Sequence, residues 1–83
     1  METRTALPVL ESDDPVTSRL LLAMREGRAV EIVYYGLNET GVRRRICPGT
    51  IFTVEGFLGT YVSGFCFLRK QERTFCCERM LLA

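Results

Sequence analysis

The chain has 83 residues, enough for one domain with a thin hydrophobic core. Hydrophobic residues make up 47% of it, which is too many for a disordered protein, and no apolar run approaches the roughly 20 residues of a membrane-spanning helix. Residues 1–35 carry four Lys/Arg and six Asp/Glu, a balance of −2, whereas residues 36–83 carry seven and four, a balance of +3. This mildly basic second half is too weakly charged for a dedicated duplex binder. Without a leader-like segment, we expect a cytoplasmic protein that does not contact membranes.

The beginning of the chain predicts a tail followed by a helix. Residues 1–13 show no sustained periodicity, so we expect a flexible tail there and one folded domain over residues 14–83. Asp14 is a favourable N-cap residue, Pro15 suits the first helical position, and Gly27 suits the left-handed residue that ends a helix. The apolar residues between these limits recur at helical spacing and should cover one face or open end of a sheet: Val16, Leu20, Leu21, Ala23 and Met24.

Short alternating segments predict β-structure for the rest of the domain. We expect five strands, over residues 29–35, 42–47, 50–55, 60–68 and 73–77, before a final helical turn. A loop over residues 36–41, bounded by two glycines, should connect the first two strands. Pro48 and Gly49 should interrupt the ladder, because proline lacks an amide and glycine permits a bend. The predicted fold is mainly β, a small closed five-stranded barrel with an N-terminal helix.

The four cysteines do not predict a metal centre. The chain has no histidine and no Cys-x-x-Cys pair, so neither a zinc site nor any cofactor is expected. In a cytoplasmic protein the cysteines should be reduced and behave as small buried hydrophobes. A bridge from Cys66 to Cys76 or Cys77 stays open for an oxidising environment.

Aromatic and cationic residues are interleaved along the strands. Single-stranded nucleic acid is held by cations on phosphates and aromatic rings against bases, so Tyr34 and Tyr61 are candidates for stacking. Arg44, Arg73 and Arg79 are candidates for phosphate contacts. The alternatives are that both tyrosines half-bury in the barrel wall and that Arg79 caps the last turn. Arg73 could instead form a cross-strand ion pair with Glu31 or Glu55.

Two further observations limit these predictions. Period-two alternation places Arg73 and Phe75 on one strand face, where Phe75 is more typical of a core residue than of a stacking platform. Arg43 and Arg45 should lie on the face opposite Arg44, in solvent. No histidine, geometrically paired carboxylates or phosphate-binding loop supports catalysis, so we do not expect an enzyme.

The order and spacing of these segments resemble the WYL domain family over about residues 18–80. The positions that carry the resemblance are the strand Val30 to Tyr34, Arg44 four residues before Pro48, the tripeptide Thr60-Tyr61-Val62, and Arg73, Phe75 and Arg79. Thr60 stands where the family has its tryptophan, while the tyrosine beside it is kept. The resemblance implies an SH3-like or Sm-like barrel. It also implies a basic ligand-binding cleft around Tyr34, Arg44, Tyr61, Arg73 and Arg79.

Members of that family serve as effector-sensing or nucleic-acid-binding modules of bacterial regulators and phage-defence proteins. The first hypothesis is therefore a sensing module for single-stranded RNA or DNA or a nucleotide. The alternative is an interaction domain that contacts a second copy or a larger protein through apolar residues and has no ligand of its own. Phe57, Leu58 and the segment Met80 to Leu82 could form that contact.

Overall fold

Residues 4–36, 38 and 40–83 are described by a computed structural model of the chain. Residues 1–3 of the predicted tail and residues 37 and 39 of the predicted loop lie outside that range. The elements are β1 (Ala6–Pro8), α1 (Pro15–Glu26), β2 (Val30–Tyr34), β3 (Val42–Val54), β4 (Tyr61–Cys66), β5 (Gln71–Cys76), a 3-10 turn (Cys77–Arg79) and β6 (Met80–Leu82). Mainly antiparallel β-structure with one helix confirms the predicted class.

Helix α1 begins and ends where the capping residues predicted. The Asp14 carboxylate accepts hydrogen bonds from the backbone N–H and from the hydroxyl of Thr17, both at 2.9 Å. Gly27 has a φ of 66° and ends the helix in the left-handed conformation. Leu20 and Leu21 are buried, and the helix packs against β3 and β6. It therefore covers one face of the sheet.

The strands follow the order β5-β4-β3-β2-β6, with β1 paired to β3. The predicted closed barrel of five strands is corrected to an open ladder of six, because β6 occupies the edge of β2 that closure would leave for β5. The gap between β5 and β2 is nevertheless spanned by a side chain. The hydroxyl of Tyr34 in β2 accepts a hydrogen bond from the backbone N–H of Cys76 in β5 at 3.0 Å.

Pro48 does not end a strand, contrary to the sequence prediction. Strand β3 continues through it, with a bulge between Pro48 and Thr50. The Arg45 carbonyl accepts a hydrogen bond from the N–H of Phe67, just after β4. Backbone groups of successive residues point to alternate sides of a strand, so the nitrogen of Pro48 points away from β4. On that other side β2 has already ended, since its first residue, Val30, pairs with Ile46. The missing N–H therefore costs the ladder no hydrogen bond.

Two three-residue strands were absent from the prediction. Residues 6–8, within the predicted tail, pair with residues 54–52 of β3, along the stretch of β3 that extends beyond β2. Residues 80–82 pair with residues 34–32 of β2. Both short strands pair with edges of longer strands that would otherwise be unpaired, so their formation depends on the tertiary structure.

The core lies between the inner face of the sheet and α1. Directly opposed residues in antiparallel strands point to the same face, and the register pairs Ile32 with Arg44 and Val62 with Phe75. The inner face of the sheet supplies most of the buried apolar residues: Val30, Ile32, Ile46, Ile51, Val62, Cys66 and Phe75. Arg44 shares this face, and it is therefore a cation in the apolar core. No helix among the described residues has the length and apolar character needed to cross a membrane.

Candidate functional site

A cavity of about 780 Å³ lies beside the free edge of β5. It is bounded by β5, the loop before β4, the loop after β2 and the last turn of the chain. The lining residues are Tyr34, Gly36, Asn38, Leu58, Tyr61, Arg69, Arg73, Thr74, Phe75, Cys76 and Arg79. Tyr34, Tyr61, Arg73 and Arg79, four of the five residues that the sequence nominated, thus share one cavity. None of the described lining residues is acidic.

Two of the arginines in this cavity have no carboxylate partner among the described residues. Arg73 is half-buried and Arg79 is exposed. Among the described residues Arg73 forms no ion pair with Glu31 or Glu55, the two alternative partners, and Glu31 instead lies 3.7 Å from Arg43. Arg73 faces Gly64 in β4, which offers no side chain to cover it. Both guanidinium groups therefore retain their charge and their donors for an anion in the cavity.

Tyr34 forms the wall at the β2 side of the cavity. Its ring packs edge-on against Phe75, with ring centroids 4.9 Å apart and an interplanar angle of 76°. Its hydroxyl is held by the Cys76 N–H. The ring is thus half-buried, as one alternative predicted, and also borders the cavity.

Tyr61 reaches the same cavity from the other face of the sheet. It pairs with Cys76, on the side opposite Arg73 and Phe75, and its ring stacks on Phe52 at 6.0 Å. Its hydroxyl donates to the Leu58 carbonyl at 3.3 Å. Residues from both faces meet in the cavity because β5 ends the sheet there, and the cavity extends around its free edge.

Arg44 is not among the residues that line the cavity. It is only 2% exposed, its guanidinium carbon lies 5.6 Å from the centroid of the Phe75 ring, and its Nη1 donates to the Cys66 thiol at 3.6 Å. Phe75 is itself 2% exposed, which agrees with its interpretation as a core residue. Arg43 and Arg45 are exposed on the opposite face, as alternation predicts. Arg44 therefore lies behind the cavity, in the core.

The surroundings of Cys66 show how this buried cation affects its neighbours. Burial alone raises the pKa of the Cys66 thiol, but hydrogen bonds from the backbone of Arg69 and Leu68 and from Arg44 outweigh it. The net result is a pKa below the usual thiol value. All four cysteines are free, and the described residues contain no group of three side chains suited to a metal ion.

Sequence reasoning did not nominate Arg69, Leu58 or Thr74 for ligand binding, although all three line the cavity. Arg69 lies in the turn after β4, which the sequence analysis interpreted only as a connection between strands. Leu58 belongs to the glycine-bounded turn before β4, and Thr74 lies on the outer face of β5. Period-two alternation does not predict them, because two lie in turns and the third points away from the inner face.

Comparison with known proteins identifies the family of the chain. No curated protein and no solved structure matches this chain. The family model of the WYL domain matches residues 15–83, from the first residue of α1 through β6. Since that match covers well over half of the 83 residues, the chain belongs to the WYL domain family, a family of regulatory, ligand-sensing modules.

Proposed function

We propose that this WYL domain is a non-enzymatic module that binds single-stranded RNA or DNA, or a nucleotide, in the cavity beside β5. The observation that carries the proposal is the convergence of Arg73 and Arg79 with Tyr34 and Tyr61 on one cavity whose described lining includes no carboxylate. Guanidinium groups bind phosphate oxygens bidentately, and aromatic rings contact bases. Capture would begin with phosphates at the arginines, and ring contacts would follow.

The proposal has two further parts, the cellular role of the domain and its type of fold. A cytoplasmic regulator, of transcription or of phage defence, is the setting that fits a ligand-sensing family. We regard the open ladder as a small SH3-like barrel that is not closed by backbone pairing, in which the Tyr34 side chain links β5 to β2.

The test is fluorescence anisotropy with labelled single-stranded and duplex oligonucleotides over a series of salt concentrations. Binding led by phosphates loses affinity as salt rises, with a log-log slope of about −0.7 per neutralised phosphate on single strands. Replacing Arg73 and Arg79 together by alanine should make that slope shallower by about 1.4, if each arginine neutralises one phosphate. Arg19→Ala is the matched control, because Arg19 is an exposed cation of α1 that does not line the cavity. An unchanged slope in the double variant, or an equal change in the control, would contradict the proposal.

The interaction-domain alternative predicts a different result. The apolar residues proposed for that contact are not all on the surface, since Met80 is 3% exposed while Leu81 is 56% exposed. A stable dimer in sedimentation, together with no oligonucleotide binding at low salt, would favour that alternative over ligand binding.

A further inference from the structure

Leu58 is the most exposed of the large apolar side chains that the structure describes. It is 96% exposed, and it lies at the rim of the cavity that contains Arg73 and Arg79. An isolated apolar residue on a surface needs no explanation. Leu58, however, lies beside a basic cavity, and hydrogen bonds and close packing restrain the backbone of its turn.

The turn that carries Leu58 is held at both ends. Gly56 and Gly59 have φ values of 84° and 96°, a region that other residues rarely adopt. The Phe57 N–H donates to the Val54 carbonyl at 3.0 Å. At the rim itself the Leu58 carbonyl accepts the hydrogen bond from Tyr61.

A second contact fixes the end of the turn nearest β4. The Glu78 carboxylate accepts a hydrogen bond from the Thr60 N–H at 2.9 Å. The same carboxylate packs so closely against Gly59 that a Cβ there would meet Glu78 Oε1 at 2.7 Å. The backbone of Leu58 is thus restrained before any ligand arrives, so a contact with its side chain requires little further ordering of the main chain.

The chemistry of the rest of the cavity indicates what Leu58 contacts. Phosphate groups gain nothing from an apolar side chain, whereas the flat face of a base does. Each tyrosine ring already makes one contact within the protein, Tyr34 with Phe75 and Tyr61 with Phe52, and only the rest of each ring is left to border the cavity. Leu58 is the apolar group at the rim with almost its whole surface uncovered. It is therefore available to cover a ring.

We propose that Leu58 packs on the nucleobase of the ligand and so makes the site select base-bearing anions over anions that offer phosphates alone. This inference rests on the proposed function, because it needs a phosphate-led ligand in the same cavity. In this inference the arginines bind the phosphates of the ligand, and Leu58 distinguishes ligands with a base from those without one.

The experiment compares labelled oligothymidylate with an abasic strand of equal length, which has the same phosphates and no bases. Leu58→Ala should weaken oligothymidylate binding by roughly tenfold, as expected for losing most of a partly buried leucine contact, and should leave the abasic strand and the salt slope unchanged. Leu68→Ala is the matched control, because Leu68 is an exposed turn leucine outside the cavity, and it should change neither affinity. Equal unfolding midpoints of the variants would establish that the turn remains folded.

The outcomes separate this inference from the proposed function. If the unaltered protein binds both strands and Leu58→Ala weakens neither, or weakens both equally, the role of Leu58 is refuted while phosphate binding stands. If the unaltered protein binds neither strand at low salt, the proposed function fails and the inference fails with it.

Discussion

The Tyr34 hydroxyl forms a hydrogen bond between β2 and β5, and its removal is the sharpest test of the fold described above. Tyr34→Phe keeps the ring and its edge-on contact with Phe75 but deletes the acceptor of the Cys76 N–H. The substitution therefore changes one hydrogen bond in a region where no backbone ladder joins the two strands.

The magnitude follows from the environment of that bond. An intramolecular hydrogen bond contributes about 0.5–1.5 kcal/mol net, and this one is partly buried, so we expect a loss of about 1 kcal/mol in the free energy of unfolding. For a domain of this size that loss lowers Tm by about 4–8 °C. The protection of the Cys76 amide against hydrogen exchange should fall by a factor of about 5, the equivalent of 1 kcal/mol.

Urea unfolding and amide exchange measured by NMR would test these values. Tyr35→Phe is the matched control, because the neighbouring Tyr35 is 41% exposed and its hydroxyl makes no hydrogen bond to the described residues. We expect the control to unfold at the midpoint of the unaltered protein. Unchanged exchange at Cys76 in Tyr34→Phe, or an equal loss of stability in the control, would refute the view that this hydroxyl spans the gap.

Two further predictions concern the core. Gly64→Ala should destabilise the domain by about 3 kcal/mol in urea unfolding, because the added Cβ would overlap the Cys47 carbonyl and approach Pro48 Cα to 2.9 Å, both backbone atoms of β3. Gly49→Ala at the adjacent bulge should be tolerated, since its Cβ meets the nearest atom only at 3.5 Å, and equal losses in the two variants would contradict the packing argument. Burial raises the pKa of the Cys77 thiol from the usual 9.0 to about 12, so under reducing conditions the unfolded chain loses this proton at a lower pH than the folded one. Stability should then fall between pH 9 and 12 by up to about 1.4 kcal/mol per pH unit, and a Cys77→Ala variant with an equally steep fall would exclude Cys77 as the cause.

The parts of the fold that the sequence predicted are those set by local chemistry. The caps of α1 depend on Asp14 and Gly27 alone, and both act as expected. The short strands β1 and β6 could not be predicted, because three residues carry no periodicity and each pairs with an edge that exists only after the longer strands have assembled. Pro48 was misread for a similar reason. Whether a proline interrupts a ladder depends on where the neighbouring strand ends.

Arg44 shows the limit of alternation for locating a site. Alternation correctly separated Arg44 from the exposed pair Arg43 and Arg45. It could not tell whether the face of Arg44 was a cleft or the core, because a guanidinium can be buried when rings and polar atoms surround it. The aromatic ring of Phe75 and the thiol of Cys66 provide part of that environment, and they come from strands distant in sequence.

The location of the candidate site follows from the topology more than from any one residue. Alternation puts Arg73 and Tyr61 on opposite faces of the sheet, and in the middle of a sheet they could not share a ligand. They meet because β5 is an edge strand whose outer side is crossed by the Tyr34 side chain and not by a paired strand. A ligand in the cavity would contact β5 on one side and Tyr34 on the other, so its binding free energy would also oppose separation of β5 from β2. Binding of the proposed ligand would therefore strengthen the link between β5 and β2 that the Tyr34 side chain makes.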